Sequence, residues 1–259
     1  MDNKVKKTKI IATIGPASED SSTIRRLIQA GSDIFRFNLK YNTISWHSKV
    51  IDGARKVAKQ QGKPIQILID LPNSSFQEGI DLAVKKKAEY IALSNIIQAE
   101  EITQLNQIIN EHGLSTSIIA KIETREALMR FPAILSETDT VMVARGDLGD
   151  VIPIEKVPFV QKELILSSNK ADKMVIVATE MFLSMVTSPK PTRAEVSDVA
   201  NAVLEGSDTV MLSEETAIGQ HPVEAVEIMN RVILEAISWQ KLGHLNISSA
   251  KNKNFQFGK

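Results

Sequence analysis

"TVMVARGDLGDVIP", residues 140 to 153, opens as an apolar run and closes on Ala144, Arg145, Gly146, Asp147, Leu148 and Gly149. Its first half suits a buried strand, and its second half puts an arginine, two glycines and an aspartate where that strand leaves a sheet. Seven other short β-branched runs share the pattern: "KIIATIG" (9 to 15), "DIFRFN" (33 to 38), "IQILID" (65 to 70), "YIALS" (90 to 94), "SIIAKIE" (117 to 123), "MVIVAT" (174 to 179) and "TVMLSE" (209 to 214). A stretch compatible with a helix follows each of the eight, the alternation that implies parallel strands joined by crossover helices. Eight such units in a chain of 259 residues predict an α/β protein of the (β/α)8, or TIM, barrel class. The rival, an open doubly wound sheet, would usually show a GxGxxG turn after an early strand, and "TIGPAS" is none. The barrel is expected to occupy residues 1–239, its last helix running from about Pro222 to Trp239, with 240–259 a polar tail.

Composition narrows the chemistry. The chain has no cysteine, which excludes thiolate sites, and its four histidines, His47, His112, His221 and His244, leave little for a histidine metal cage, so any metal should be hard and held by oxygen. Lysine plus arginine equals aspartate plus glutamate at 31 each, and only two Trp and two Tyr are present, which leaves no electrostatic footprint for nucleic acid. No apolar run reaches membrane-spanning length, and the lysine-rich start lacks the apolar core of a signal peptide. A cytoplasmic setting is expected, with no membrane partner. Positions near the tail leave room for a homo-oligomer interface.

In this barrel class active sites gather at the C-terminal ends of the strands. Those ends carry Arg36 and Asn38, Asp70, Ser94, Lys121 and Glu123, Arg145 to Asp147, Thr179 and Glu180, and Ser213 to Glu215. Lys121 and Glu123 are two apart, so both point to the same side of their strand. Glu123 and Asp147, on adjacent strand ends, make a natural Mg2+ or Mn2+ site that leaves room for substrate oxygens. Structural ion pairs, Lys121 with an acid and Arg36 with Asp70, are the alternative. Burying Arg36, Asp70, Lys121, Glu123 and Asp147 together would cost several kcal/mol per ion by general estimate, which favours function. Gly146 lets a ligand approach the backbone, and the N–H groups of Gly146 and Asp147, if they open a short helix, suit a carboxylate or phosphate.

The stretches "TKIIATIGPAS", "KIET", "VMVARGDLG", "PTRAEVSDVANAV" and "VMLSEETAIGQHPVEAV" resemble, in order, the catalytic barrel of the pyruvate kinase family. The resemblance runs from residue 8 to about 235. It implies that Lys121 contacts the transferring phosphoryl group and stabilises an enolate, and that Glu123 and Asp147 hold the divalent ion. It implies further that the turn Ala144, Arg145, Gly146, Asp147, with Thr179, receives the carboxylate of phosphoenolpyruvate or pyruvate, the small-molecule substrate. Arg36 and Asn38 match the arginine and asparagine of the family's "RxNFSHG", with Asp70 beside them, and Ser213 belongs to the polar network near Thr179 implicated in protonating the enolate.

Departures accompany the matches. The lid domain inserted in the family after strand three is missing from "LIDLPNSSFQEGIDL", the C-terminal regulatory domain has no counterpart, and the second nucleotide-side arginine is gone. Lys40, Tyr41 and Leu71 replace residues of the family's monovalent-cation site, so the K+ site is expected to be lost, with the Lys40 ammonium as its substitute. Glu214 stands where the family has glycine. The losses fall on the nucleotide and potassium side, and three functions remain open: phosphotransfer to ADP, a lyase, aldolase or decarboxylase acting through a pyruvate enolate, and a silent regulatory barrel.

Overall fold

In the computed structural model, which describes residues 8–72 and 76–242, the eight runs are eight strands. They are β1 (Lys9–Thr13), β2 (Ile34–Asn38), β3 (Gln66–Leu71), β4 (Tyr90–Leu93), β5 (Ser117–Ile122), β6 (Thr140–Ala144), β7 (Met174–Ala178) and β8 (Thr209–Leu212). Neighbours pair in parallel in sequence order, and β1 closes on β8 through Lys9↔Thr209 to Ala12↔Leu212. The result is a closed (β/α)8 barrel, as the alternation predicts.

Between the strands lie α1 (Ser21–Ala30), α2 (Ile44–Gln60), α3 (Phe76–Lys86), α4 (Glu100–Glu111), α5 (Arg125–Met129) and α6 (Phe131–Glu137). After β6 come α7 (Arg145–Val151) and α8 (Val157–Lys170), then α9 (Arg193–Leu204) after β7, and α10 (Glu214–Ala217) and α11 (Pro222–Lys241) after β8. Local chemistry sets their ends. Asp20 caps α1 by accepting from the N–H groups of Ser22 and Thr23, and Gly31 ends it at φ 121°, a conformation open to glycine. Thr192 and Glu195 form a reciprocal capping box at the start of α9. Helix α11 continues through Lys241, so residues 240 and 241 belong to it rather than to the expected tail; 243–259 lie outside the described residues.

Side chains of each strand alternate between two cores. Ile11, Ile34, Leu68, Ile119, Met142, Ile176 and Met211 fill the barrel interior. Their neighbours Ile10, Phe35, Ile67, Val141, Val175 and Val210 face outward and pack against the helices. Each such burial stabilises the fold by about 1.5–3 kcal/mol before entropy is charged against it. Two residues beyond an interior position, the same parity brings a side chain to the C-terminal mouth, which is how Ile119 predicts the direction of Lys121. Helix α3 begins at Phe76, five positions after β3 ends at Leu71, so no domain is inserted there. Among the described residues no helix is long and apolar enough to cross a membrane.

Candidate active site

Arg36, Asp70, Lys121 and Glu123 converge at the mouth, each less than a tenth exposed. Asp70 sits at the centre. Arg36 reaches its Oδ2 through Nε at 2.8 Å and Nη2 at 2.7 Å, and Lys121 Nζ lies 3.3 Å from its Oδ1. Lys121 also donates to Ser94 Oγ at 2.7 Å and pairs with Glu123 Oε1 at 2.7 Å, while the N–H of Asn95 donates to Glu123 Oε2 at 2.6 Å. Burial alone would raise the carboxyl of Asp70, but the Arg36 and Lys121 charges hold it below its ordinary value. Glu123 goes the other way: burial lifts it, Lys121 and the Asn95 N–H oppose, and the negative charge of Asp147 adds to the rise.

These side chains line an open cavity of about 730 Å³, with Asn38, Lys40, Gly146, Asp147, Thr179, Ser213 and Glu214 completing its wall. Asp70, Glu123, Asp147, Glu180 and Glu214 oppose Arg36, Lys40 and Lys121 in that lining, a formal surplus of two negative charges. A divalent cation would balance it, and Glu123 with the exposed Asp147, whose charge it feels, offers two carboxylates that could hold one. Among the described residues no three acidic or histidine side chains form a metal cage, so such an ion would rest on two carboxylates, with oxygens of substrate and water completing its shell.

Beyond the neighbouring strand β6, Gly146 is the second residue of α7, and its N–H donates to Thr179 Oγ1 at 2.8 Å. The Thr179 hydroxyl donates in turn to the carbonyl of Ala178 at 2.6 Å. Thr179 and Glu180 both have positive φ, 69° and 52°. A β-branched residue in that region is strained by roughly 1–3 kcal/mol and is held there by its surroundings. One such restraint is Glu215, wholly buried, whose Oε1 accepts from the N–H of Phe182 and whose Oε2 accepts from the N–H of Ser213. Ser213 Oγ is buried beside the cavity, with no hydrogen-bond partner among the described residues.

Two expected substrate residues do not reach the cavity with their side chains. Ala144 is buried at the N-terminal edge of α7. Arg145 turns outward: it donates to the carbonyl of Thr179 at 2.6 Å and pairs with Asp198 on α9. It is a strut that holds the β7 loop, because side-chain alternation ends where the strand becomes helix. The Lys40 ammonium lies 5.9 Å from the ring centroid of the exposed Tyr41, while Asp70 takes Arg36 and Lys121 as its cations. Gly146 does not need a left-handed conformation, and a Cβ there would come no closer than 3.5 Å to Thr179. Sequence reasoning gave no role to Ser94, although Tyr90, Ala92 and Ser94 share one parity. Nor did it find Asp198, whose stretch shows no chemistry of its own.

The family model "Pyruvate kinase, barrel domain" matches residues 5–80 and 74–226. The two matched pieces overlap at residues 74–80, shortly after β3 ends at Leu71. Pyruvate kinase of Thermococcus litoralis is 32% identical over 326 residues, covering 87% of this chain and 69% of that protein. Pyruvate kinase 2 of Synechocystis is 32% identical, covering 88% of this chain but 56% of that protein. Pyruvate kinase of Thermotoga maritima is 46% identical over 160 residues, 62% of this chain and 34% of that protein. An alignment of 326 residues exceeds the 259 of the chain, so the first relative carries segments with no counterpart here.

Proposed function

The chain belongs to the pyruvate kinase family, and on that premise we propose that its mouth binds a divalent cation together with a pyruvate or phosphoenolpyruvate group and stabilises the enolate between them. The observation that carries this reading is the fixed Lys121 ammonium, held by Asp70, Ser94 and Glu123 in the wall of the same cavity as Gly146 and Thr179. Glu123 and Asp147 would hold Mg2+ or Mn2+, which when bound polarises the substrate oxygen and neutralises charge. Lys121 offers its positive charge to the oxygen that becomes negative, and Asp70 with Arg36 keeps it in place. Such a charge gains more from the enolate than from the ground-state ketone, so it lowers the barrier rather than only tightening binding. The N–H of Gly146 and the hydroxyl of Thr179, now bonded to each other, can turn to the substrate carboxylate. Ser213, beside the same cavity, has a hydroxyl free to relay the proton that converts enolate to pyruvate.

The reaction class is the family's: the phosphoryl group of phosphoenolpyruvate passes to an acceptor, which in the family is ADP, and the enolate left behind takes a proton at its methylene carbon. Incubation with Mg2+, phosphate and pyruvate in D2O should exchange the methyl protons by NMR, and Lys121→Met should reduce that exchange by about a hundredfold or more while the fold persists. Equal exchange in both proteins would remove Lys121 from the mechanism. Mn2+ binding in the presence of oxalate should weaken sharply in Glu123→Gln and in Asp147→Asn, and unchanged affinity would sink the metal site. Assays with phosphoenolpyruvate plus ADP beside oxaloacetate alone separate phosphotransfer from an enolate lyase.

A further inference from the structure

A second cavity of about 340 Å³, with Pro16, Tyr41 and Ile218 among its apolar walls, shares Asn38, Tyr41 and Ser213 with the polar one. Arg36 and Glu214 line both, and Glu214 therefore stands at the junction. Among the described residues Arg36 is the only cation of the annex lining, and its charge is taken up: Nε and Nη2 bind Asp70, and Nη1 donates to Thr13 Oγ1 at 3.0 Å. The Glu214 carboxylate, exposed at the start of α10, has no hydrogen bond or ion pair among the described residues. A molecule that seats an apolar group in the annex and reaches the reacting centre meets the unpaired Glu214 carboxylate, and among the described residues the annex lining holds no uncommitted cation.

We propose that Glu214 is the specificity-determining residue for the second substrate, and that it selects a neutral or cationic molecule with an apolar group over a polyanion of the same shape. This rests on the enolpyruvate reading of the adjoining cavity. The repulsion is electrostatic and acts through water at the rim, so it should amount to roughly tenfold in all for a diphosphate and shrink with salt.

Adenosine and ADP, alike in their apolar part and different in charge, are the probes. Isothermal titration of each, without metal, is compared in the wild type, Glu214→Gln and Glu214→Gly. The ratio of ADP to adenosine affinity should rise on the order of tenfold in both variants at low salt and converge on the wild-type ratio as salt is added. Glu214→Gln keeps the side-chain volume, so a shift in it cannot come from added space. An unchanged ratio in both variants overturns the proposal, and so does failure of adenosine to bind all three proteins, because the annex would then take no second substrate. Mn2+ and oxalate binding, measured in the same preparations, tests the enolpyruvate reading separately. Its failure with a shifted ratio would sink that reading and leave Glu214 as a charge filter.

Discussion

A side chain at Gly146 would point at Thr179 and toward the place where a substrate carboxylate is expected, yet the fold leaves 3.5 Å for it. Gly146→Ala should therefore be tolerated, with helix propensity in α7 contributing about 0.5–1 kcal/mol of stability, while Mn2+-dependent oxalate binding weakens by roughly tenfold or more. Thermal unfolding and oxalate titration on the same sample check both halves, and intact binding would exclude this turn as the carboxylate cradle. Lys40 decides a second property. If its ammonium substitutes for a monovalent ion, turnover should be alike in Na+, K+ and tetramethylammonium salts at equal ionic strength. Strong stimulation by K+ alone would assign the cation elsewhere, in keeping with the position of Lys40 beside the Tyr41 ring.

At the scale of elements, Glu215 ties the loop after β7 to the start of α10 through the N–H groups of Phe182 and Ser213. Burial raises its carboxyl above the ordinary value, the two N–H donors only partly opposing this. The folded state then holds its proton more tightly than the unfolded chain does, so stability falls as pH rises from below the unfolded value through the folded one. Glu215→Gln keeps the shape and cannot titrate. Its stability relative to the wild type should grow as pH rises through that window, as measured by denaturant unfolding at a series of pH values. A constant difference would refute the raised carboxyl. Glu215 also marks the limit of what the residues alone reveal. The strands were legible because eight β-branched runs end in polar residues, and Lys121 with Glu123 was legible because a strand alternates with period two. Arg145, Thr179 and Glu215 lie beyond the strand ends, where no period applies and direction depends on contacts with α9 and the β7 loop. The joint hold of Arg36 and Lys121 on Asp70 needed the register of β2, β3, β4 and β5 as well.

For the whole molecule the closing seam is the decisive contact. Thr13 Oγ1 donates to the carbonyl of Leu212, Thr216 Oγ1 to that of Thr13, and a Cβ on Gly15 would stand 2.5 Å from the carbonyl oxygen of Ala217. Gly15→Ala must push α10 off β1 and should cost about 1–3 kcal/mol. Because the barrel is one closed sheet, that loss should lower a single transition seen alike by far-ultraviolet circular dichroism and by the fluorescence of Trp46 and Trp239, on α2 and α11. Separate midpoints would show that the seam opens on its own. The same seam joins residues 199 to 203 positions apart. During synthesis β1 waits, one edge unpaired, until β8 has emerged, and the entropy of closing so large a loop is settled only at that strand. A nascent chain in that interval presents an open, apolar sheet edge to its surroundings, so its yield in a cell should depend on chaperone capacity far more than the stability of the finished barrel would suggest.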